Sequence, residues 1–434
     1  MEIVNRRRDY RNHERNPERN REKGSILMLG AGTIFVVMAF AGLALDASYM
    51  YFHKRAMQTA ADAGAYGGAL ELLRGNTDVT TVAKNDTALN GFTDGTDSVV
   101  VTVNNPPASG TKSGDSNFVE VIISHPQPTW FMRALDFNSV TVAARAVAGL
   151  GTTGNGCVYA LNQDTSKTNN GFFANGTTNS NFSCGVFSNS NFRSVGGACV
   201  VTPTVSYTGT YSNSNSSGNC GPQGIGKGVA IVDPLRKKYS VPSYTACQGG
   251  GGGTKITTGL TVTLSPGTYC GGISITGSVQ NVIFSPGEYI LVGGGLSING
   301  GVNVSGSGVT FFNTYDQSNK YGAISITGSG TVDFTAPTSG TDKGLLFYQD
   351  PTVAWSASND SIIAGGANSV YDGIIYFPTT DLKYAGNSST TSGGTDGYTM
   401  LIGYDITING TAQINTDFSA LGGTNPLQNA LFVE

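Results

Sequence analysis

The chain has 434 residues, of which 12% are charged, 61 are glycine and six are cysteine, and its formal net charge is −4. This length exceeds that of one ordinary domain, and a composition rich in Gly, Ser, Thr and Asn favours short strands and tight turns over long helices. Eight basic residues within positions 1–24 are offset there by five acidic ones, which argues against nucleic acid as a partner.

The N-terminal region is predicted to cross a membrane once. Residues 1–24 have almost no apolar side chains and are predicted to form a disordered cytoplasmic tail. Residues 25–45 carry no charge, and at ~1.5 Å per residue they form a helix long enough to span the hydrocarbon core of a bilayer. Because basic residues are concentrated before the span, the N-terminus is expected in the cytoplasm and the remainder outside. The sequence therefore predicts a single-pass membrane protein, with the lipid bilayer as a partner and an extracytoplasmic C-terminal region.

A cleaved signal peptide is the alternative to a retained anchor, because residues 39–41 form an A-x-A site. The apolar region of such peptides is usually ~7–15 residues long, which is shorter than the span found here. The length of the span therefore favours a retained anchor.

The helix is predicted to continue outside the membrane through residues 46–75, where alanine is frequent and proline is absent. Small residues recur at every fourth position and form a smooth ridge along this helix. They are Ala56, Ala60, Gly64 and Gly68. Two interpretations are open: the ridge is a docking face for another helix, or these are incidental residues of a surface helix.

A set of motifs runs in fixed order along the span and the helix that follows it. Gly-Ser precedes the apolar run, which closes in Gly-Leu-Ala-Leu-Asp, and aromatic residues and Gln-x-Ala-Ala-Asp-Ala come next. Over roughly residues 23–70 this order resembles the N-terminal segment of TadG/TadE-like Flp pilus-assembly proteins, although alanines of that family are replaced at positions 64, 66 and 67. The motif residues are Gly24, Asp46, Gln58, Ala60, Ala61 and Asp62.

The resemblance implies a single-pass envelope protein of the bacterial cytoplasmic (inner) membrane, linked to tight-adherence pilus loci. It also implies that other pilus-assembly or pilin-like helices are its protein partners. Pilin-type processing requires a glutamate shortly after Gly24, and the first acidic residue after it is Asp46. Peptidase cleavage at Gly24 is therefore not expected.

Residues 76–149 are predicted to form a small antiparallel β module. Apolar residues mark strands near positions 98–103, 118–123 and 140–148, which are separated by loops that contain proline or glycine. The course of this module resembles the region after the helix in the same family. Trp130, between the second and third strands, is predicted to be a core residue.

Residues 150–253 are predicted to form a β region rich in Gly, Asn and Ser. The extracytoplasmic side favours disulfides, although free buried thiols are the other interpretation and six cysteines allow 15 pairings. The candidates are Cys157, Cys184, Cys199, Cys220, Cys247 and Cys270. No C-x-x-C pair occurs and the chain has three histidines, so neither a metal nor another cofactor is expected.

Residues 254–434 are predicted to form a right-handed parallel β-helix. The segment Leu264–Tyr269 returns as Phe284–Tyr289, and I-x-I or L-x-I triplets recur beside glycine-containing turns. Short strands that return every ~20–25 residues are typical of one coil per repeat, with the apolar side of each coil buried by its neighbours. A β-sandwich is the competing architecture. This region resembles pectate-lyase-like β-helix segments.

The predicted fold class is therefore mainly β: a transmembrane helix that continues outside the membrane, a small antiparallel module and a C-terminal parallel β-helix. The charged candidates for catalysis lie singly on separate predicted coils, where turn carboxylates are the commoner role. They are Asp333, Asp350, Asp360, Asp372, Asp381, Lys343 and Lys383. The aromatic candidates for a glycan-binding face, for which core packing is the commoner role, are Tyr348, Trp355, Tyr371, Tyr376 and Tyr384.

These observations favour a non-enzymatic envelope protein with a structural or accessory role in Flp pilus assembly or in surface adhesion. The alternative is a membrane-tethered polysaccharide lyase or hydrolase, or a glycan-binding adhesin that binds surface glycans through the β-helix face.

Overall fold

The protein is mainly β and divides into two compact units. The first comprises the described residues within 1–69, 78–149 and 432–434, and the second those within 70–77 and 150–431. The predicted tail up to residue 17 lies outside the described residues. The computed structural model describes residues 18–74, 78–152, 156–176, 179–215, 220–236, 238–244, 246–248, 251–364, 366, 368–385, 397–421 and 427–433.

Two helices precede the first strand. Helix α1 (Glu18–Leu73) is continuous through the predicted span and the alanine-rich segment after it, because no proline interrupts either part. It begins inside the segment whose composition predicted a disordered tail. Helix α2 (Val79–Leu89) was not expected within the β module. Its buried residues Val79, Ala83 and Thr87 recur every four positions, which gives a short helix one packed face.

An antiparallel sheet completes the first unit. It contains β1 (Val100–Asn104), β2 (Phe118–Pro128) and β3 (Ser139–Thr152), and both pairings are antiparallel as predicted. Alternate residues of β2, among them Val119 and Val121, are fully buried.

The second unit is built from short strands. In chain order they are β4 (Gly156–Ala160), β5 (Gly171–Asn175), β6 (Asn179–Phe182), β7 (Gly185–Ser188), β8 (Asn191–Val195), β9 (Cys199–Tyr207), β10 (Tyr211–Asn213), β11 (Pro222–Lys227), β12 (Thr254–Ile256), β13 (Thr261–Leu264), β14 (Gly267–Cys270), β15 (Ile273–Ile275), β16 (Asn281–Phe284), β17 (Gly287–Val292), β18 (Leu296–Ile298), β19 (Asn303–Ser307), β20 (Val309–Thr314), β21 (Ser325–Ile326), β22 (Val332–Thr335), β23 (Leu345–Gln349), β24 (Ser361–Ala364), β25 (Val370–Phe377), β26 (Leu382–Ala385), β27 (Thr399–Gly403), β28 (Ile406–Asn409) and β29 (Gln413–Ile414). The last strand of the chain is β30 (Gln428–Phe432).

Strands β4–β29 form the coils of a parallel solenoid, whereas β30 is the edge strand beside β3 in the four-stranded sheet. A ten-stranded sheet has the order β10-β8-β5-β28-β26-β24-β21-β18-β15-β12, and all of its pairings are parallel. A sixteen-stranded sheet consists of two rows that share β25 and β9. The chain visits the ten-stranded sheet, then one row and then the other, as in β15, β16, β17 and again β18. This arrangement agrees with the predicted parallel β-helix and excludes the β-sandwich.

The recurring apolar triplets form the core, as the alternation predicted. Ile256, Ile275, Ile298 and Ile326 are register partners in successive strands, and each is buried. The residue between two inward positions points outward, as at Ser274 between two buried isoleucines. Each coil therefore buries its apolar side only when another coil stacks on it.

The order of the coils differs from the order of the sequence. Strand β4 pairs with β27 and β5 pairs with β28, so the cysteine-containing strands stack on the last coils of the C-terminal region. The boundary expected at residue 253 therefore separates two sets of strands that share the same sheets. The chain enters the solenoid at an interior coil, near one end, proceeds to β10 and β11 at that end, and restarts at β12 at the other end.

A return segment, residues 228–248, connects the two ends along the outside of one row. Ile231 exchanges two hydrogen bonds with the Asn189 side chain, both of 2.7 Å. Further along, the Tyr348 hydroxyl donates to the Tyr239 carbonyl oxygen at 2.9 Å. The segment therefore covers the outward aromatic side chains of this row, which includes Tyr348 and the buried Tyr376.

All six cysteines are paired in the structure. The bonds are Cys157–Cys184, Cys199–Cys220 and Cys247–Cys270. The first two join neighbouring coils, and the third fixes the end of the return segment to β14. These pairings agree with the prediction of disulfides and not with the alternative of free buried thiols.

Phe311 provides a test of the stacked core. It is fully buried, and its ring lies 5.1 Å from the ring of Phe347 and 5.2 Å from that of Phe284. Phe311→Ala is expected to destabilise the second unit by about 3–5 kcal/mol because it leaves a cavity in the aromatic core. Thermal and denaturant unfolding of the full chain measure the change. Ile283→Ala is the control, since Ile283 is 41% exposed, and equal effects of both variants would contradict this arrangement.

Candidate functional site

The motif residue Asp46 binds three backbone N–H groups from the loop between β2 and β3. Its carboxylate oxygens accept hydrogen bonds from Trp130 N at 3.1 Å, Phe131 N at 2.9 Å and Met132 N at 2.7 Å. Asp46 is 1% exposed. Hydrogen bonds to an ionised carboxylate are about twice as strong as neutral ones, so Asp46 fixes this loop to α1 at the end of the apolar span.

Two aromatic contacts also hold the loop between β2 and β3 against α1. The Phe131 ring lies on Gly42, where an added Cβ would overlap the ring. The Trp130 ring lies 4.6 Å from that of Tyr49, one turn beyond Asp46. The interpretation of Trp130 as a core residue is wrong: its side chain is 58% exposed, because its backbone is held by Asp46 at the margin of the sheet.

Gln58 and Asp62, two further motif residues, link α1 to β3. The Gln58 amide nitrogen donates to Asp62 Oδ1 at 2.8 Å and to the Arg145 carbonyl oxygen at 2.9 Å. The four-residue spacing places both side chains on one face of the helix, where Asp62 orients the amide. This contact explains why a glutamine and an aspartate occur together in the motif.

The Arg145 side chain belongs to a buried polar network that the sequence analysis missed. Glu120 is fully buried and accepts hydrogen bonds from Arg145 Nε at 2.6 Å, Asn104 Nδ2 at 2.7 Å, and Ala108 N and Ser109 Oγ at 3.1 Å each. Burial raises the pKa of Glu120, but these hydrogen bonds outweigh it and hold the pKa below its usual value. In the sequence, Glu120 lies between the apolar residues Val119 and Val121 and therefore on the opposite face of the strand, where a charged residue is expected to be exposed, so its burial gave no clear signal.

The small-residue ridge is occupied within the first unit. A Cβ at Gly64 would lie 2.7 Å from Thr87 Cγ2 of α2, and one at Gly68 would lie 2.9 Å from Val119 Cγ1 of β2. Ala60 and the neighbouring motif residue Ala61 are fully buried, and Ala56 is half-buried. Over most of its length, the ridge therefore packs on this chain's own helix and sheet. Gly24 lies within α1, before the apolar run.

Among the charged candidates on the solenoid, Asp360, Asp381 and Lys383 lie near one another. Burial raises the pKa of Asp381, the nearby Asp360 charge adds to this effect and the Lys383 charge opposes it. Lys383 Nζ lies 3.2 Å from Asp360 Oδ2, and Trp355 Nε1 donates to Asp381 Oδ1 at 3.1 Å. Asp350 accepts hydrogen bonds within its own turn, as expected of turn carboxylates. Within the described ranges, no group of three or more His, Cys, Asp and Glu side chains is arranged to hold a metal ion.

The aromatic candidates do not form a glycan-binding face. The side chains of Tyr348, Tyr371, Tyr376 and Tyr384 are buried in the solenoid or beneath the return segment, whereas Trp355 is exposed. Core packing, the commoner role of such residues, is therefore the observed one for these tyrosines.

Asp405 is a buried carboxylate that the sequence analysis did not single out. It accepts hydrogen bonds from Asn162 Nδ2 at 2.9 Å and from Gly171 N at 2.5 Å. Burial raises the pKa of Asp405 to about 6, and the nearby charges of Asp381 and Asp164 add to this effect while the hydrogen bonds oppose it. Because its donors lie on the coil stacked against β27 and β28, Asp405 joins the two parts of the solenoid.

Comparison with known proteins gives two family matches, both in the N-terminal region. Residues 24–71 match the family model described as Putative Flp pilus-assembly TadE/G-like, and residues 51–148 match the one described as Putative Tad-like Flp pilus-assembly. The resemblance predicted from the motifs is thereby confirmed for the N-terminal region, and both matches end before the solenoid. No curated protein and no solved structure matches the chain significantly. The resemblance of the C-terminal region to pectate-lyase-like segments stays a prediction.

Proteolysis tests the three hydrogen bonds that Asp46 accepts from the loop. Asp46→Ala leaves three N–H groups without their acceptor, and we expect the loop to open about a hundredfold more often, equivalent to ~3 kcal/mol. Trypsin cleavage after Arg133, an exposed loop residue, measures this opening in the full chain in detergent. Ser48→Ala is the control, because the exposed Ser48 hydroxyl bonds only a carbonyl of its own helix in the described structure. Equal cleavage rates in both variants would show that Asp46 does not hold the loop.

The buried Glu120 predicts a dependence of stability on pH. Since its folded pKa is lowered, its contribution is fully present above the unfolded pKa of ~4.3 and is lost as the pH falls through the folded value. Glu120→Gln is expected to destabilise the first unit by about 3 kcal/mol at pH 7, with a difference from wild type that shrinks in acid. Thermal unfolding as a function of pH measures this, with the exposed Asp78→Asn as control. A difference that does not vary with pH would contradict the assignment.

Proposed function

We propose that the chain is a single-pass, membrane-anchored envelope protein with a structural or accessory role in Flp pilus assembly, without catalysis. The observation that carries the proposal is that the two family matches together span residues 24–148, which include most of α1, all of α2, β1 and β2, and most of β3. These elements belong to one compact unit, apart from the ends of α1 and β3. The part of the sequence that resembles pilus-assembly proteins is therefore also a physical unit.

Membrane anchorage is supported by the first helix. Within the described residues, one helix is long and apolar enough to cross a membrane, and it lies near the N-terminus. Its large apolar side chains, from Ile26 to Leu45, are mostly exposed, as expected of side chains that face lipid. The direction of insertion, with the N-terminus in the cytoplasm, rests on the excess of basic residues before the span.

Export of the second unit is supported by its three disulfides, which persist in oxidising compartments. We further propose that the solenoid is a structural or adhesive scaffold. Its coils are linked by continuous parallel hydrogen bonding, and its polar outward positions carry scattered charges and paired ions. Those features suit a spacer or an adhesive surface better than an active site.

Fractionation of the host cell tests anchorage and topology. The full chain is expected to remain in the inner-membrane fraction after alkaline extraction, whereas a variant that lacks residues 25–45 is expected to lose that association. In spheroplasts, added protease should degrade the solenoid and leave a short N-terminal fragment. Recovery of the intact full chain as a soluble protein would overturn the proposed anchor.

Deletion of the gene tests the link to the pilus. Loss of assembled Flp pili with retained pilin, restored by the full chain, is the expected result. Normal pili in the deletion strain would overturn the pilus-assembly role while leaving the anchor intact.

A further inference from the structure

The loop between β2 and β3 exposes a cluster of large apolar side chains. Trp130 is 58% exposed, Phe131 48%, Leu135 62% and Phe137 56%. An exposed cluster of this kind usually marks a contact with another phase or another molecule. We propose that this cluster, called here the apolar loop, inserts into the outer interfacial layer of the membrane that α1 crosses. The inference rests on the membrane anchorage in the proposed function.

The apolar loop is fixed at the level where the apolar span ends. Its first residues are held by Asp46, which directly follows the span. The Phe131 ring lies on Gly42, three residues before the end of the span at Leu45. At ~1.5 Å of rise per residue, this position is about 4.5 Å inside the end of the span. A bilayer that covers the span up to Leu45 therefore also meets Phe131.

The loop is closed at its base, so its exposed side chains stay together. Thr129 N donates to the Asn138 carbonyl oxygen at 3.2 Å, and Phe137 N donates to the Met132 carbonyl oxygen at 3.2 Å. Leu135 lies within this closed segment. The apolar loop is consequently a short, ordered projection whose position relative to α1 is set by the bonds to Asp46.

The composition of the loop matches the membrane interface. Trp130 packs against Tyr49, and aromatic residues of this kind are enriched where lipid headgroups begin. Arg133 is exposed in the same loop, and Lys54 and Arg55 are exposed further along α1, where they can reach lipid phosphates. Asp136 is the one acidic residue of positions 130–137. Continuity with the span therefore favours lipid over a protein partner as the occupant.

The two tryptophans of the chain, Trp130 and Trp355, provide the test. In Trp355→Phe, Trp130 is the remaining fluorophore, and the altered side chain is 52% exposed in the second unit. The full-length variant is reconstituted into vesicles of phosphatidylethanolamine and phosphatidylglycerol with lipids brominated at shallow or deep acyl positions. The expected result is blue-shifted emission that shallow bromines quench about twofold, more strongly than deep ones, as for an interfacial tryptophan.

Trp130→Phe is the matched control, because it leaves Trp355 as the reporter and keeps an aromatic ring in the loop. Its emission is expected to be unaffected by brominated lipid. If both variants stay with the vesicles after alkaline extraction and Trp130 is quenched no more than Trp355, the inference is overturned while the anchor stands. Blue-shifted but unquenched Trp130 emission would overturn it in favour of a protein partner or a second copy. Loss of both variants from the vesicles would overturn the anchor together with the loop.

Discussion

A carboxylate directly after a span of 21 uncharged residues has to be solvated, and in this protein the chain itself supplies the donors. Asp46 binds the N–H groups of residues 130–132, which lie about 85 positions later in the sequence. This one group of bonds ties the β2–β3 loop, and through it the antiparallel sheet, to the outer end of the span. The bond from Gln58 to Arg145 and the packing of Gly64 and Gly68 then fix the same sheet further along α1.

In the second unit, the constraint is that no coil can bury its own apolar side. The outer edges of the strands at the two ends of the stack of coils also have to be paired or covered. The chain meets these requirements with a solenoid that it enters at an interior coil, so that β4 and β5 stack on β27 and β28. The return segment follows from this topology, because the chain has to pass from one end of the stack to the other. On its way it covers a row of aromatic side chains that would otherwise face water.

The two units suggest a division of roles within the proposed function. The first contains the motif residues, of which Asp46 and Gln58 bind the loop and the sheet, Asp62 orients Gln58, and Ala60 and Ala61 are buried. The second unit is outside both family matches, and its ionisable groups are mostly used in turns, in ion pairs and at Asp405 in the junction of coils. A membrane-anchored unit and a separate scaffold are consistent with both observations.

The sequence by itself determined the features that depend on local pattern. The length of the uncharged run predicted the span. The alternation of apolar and polar residues predicted β2 and β3, and the repeated I-x-I triplets predicted the parallel solenoid. It did not determine the order of the coils, because every coil presents a similar apolar side and any of them could stack on another. Helix α2 was missed because its pattern is short. Only the tertiary structure decided the place of Trp130, which resembles a core residue in sequence and is exposed in the fold. The bonds of its backbone to Asp46, across 84 positions of the chain, outweigh the tendency of its side chain to be buried.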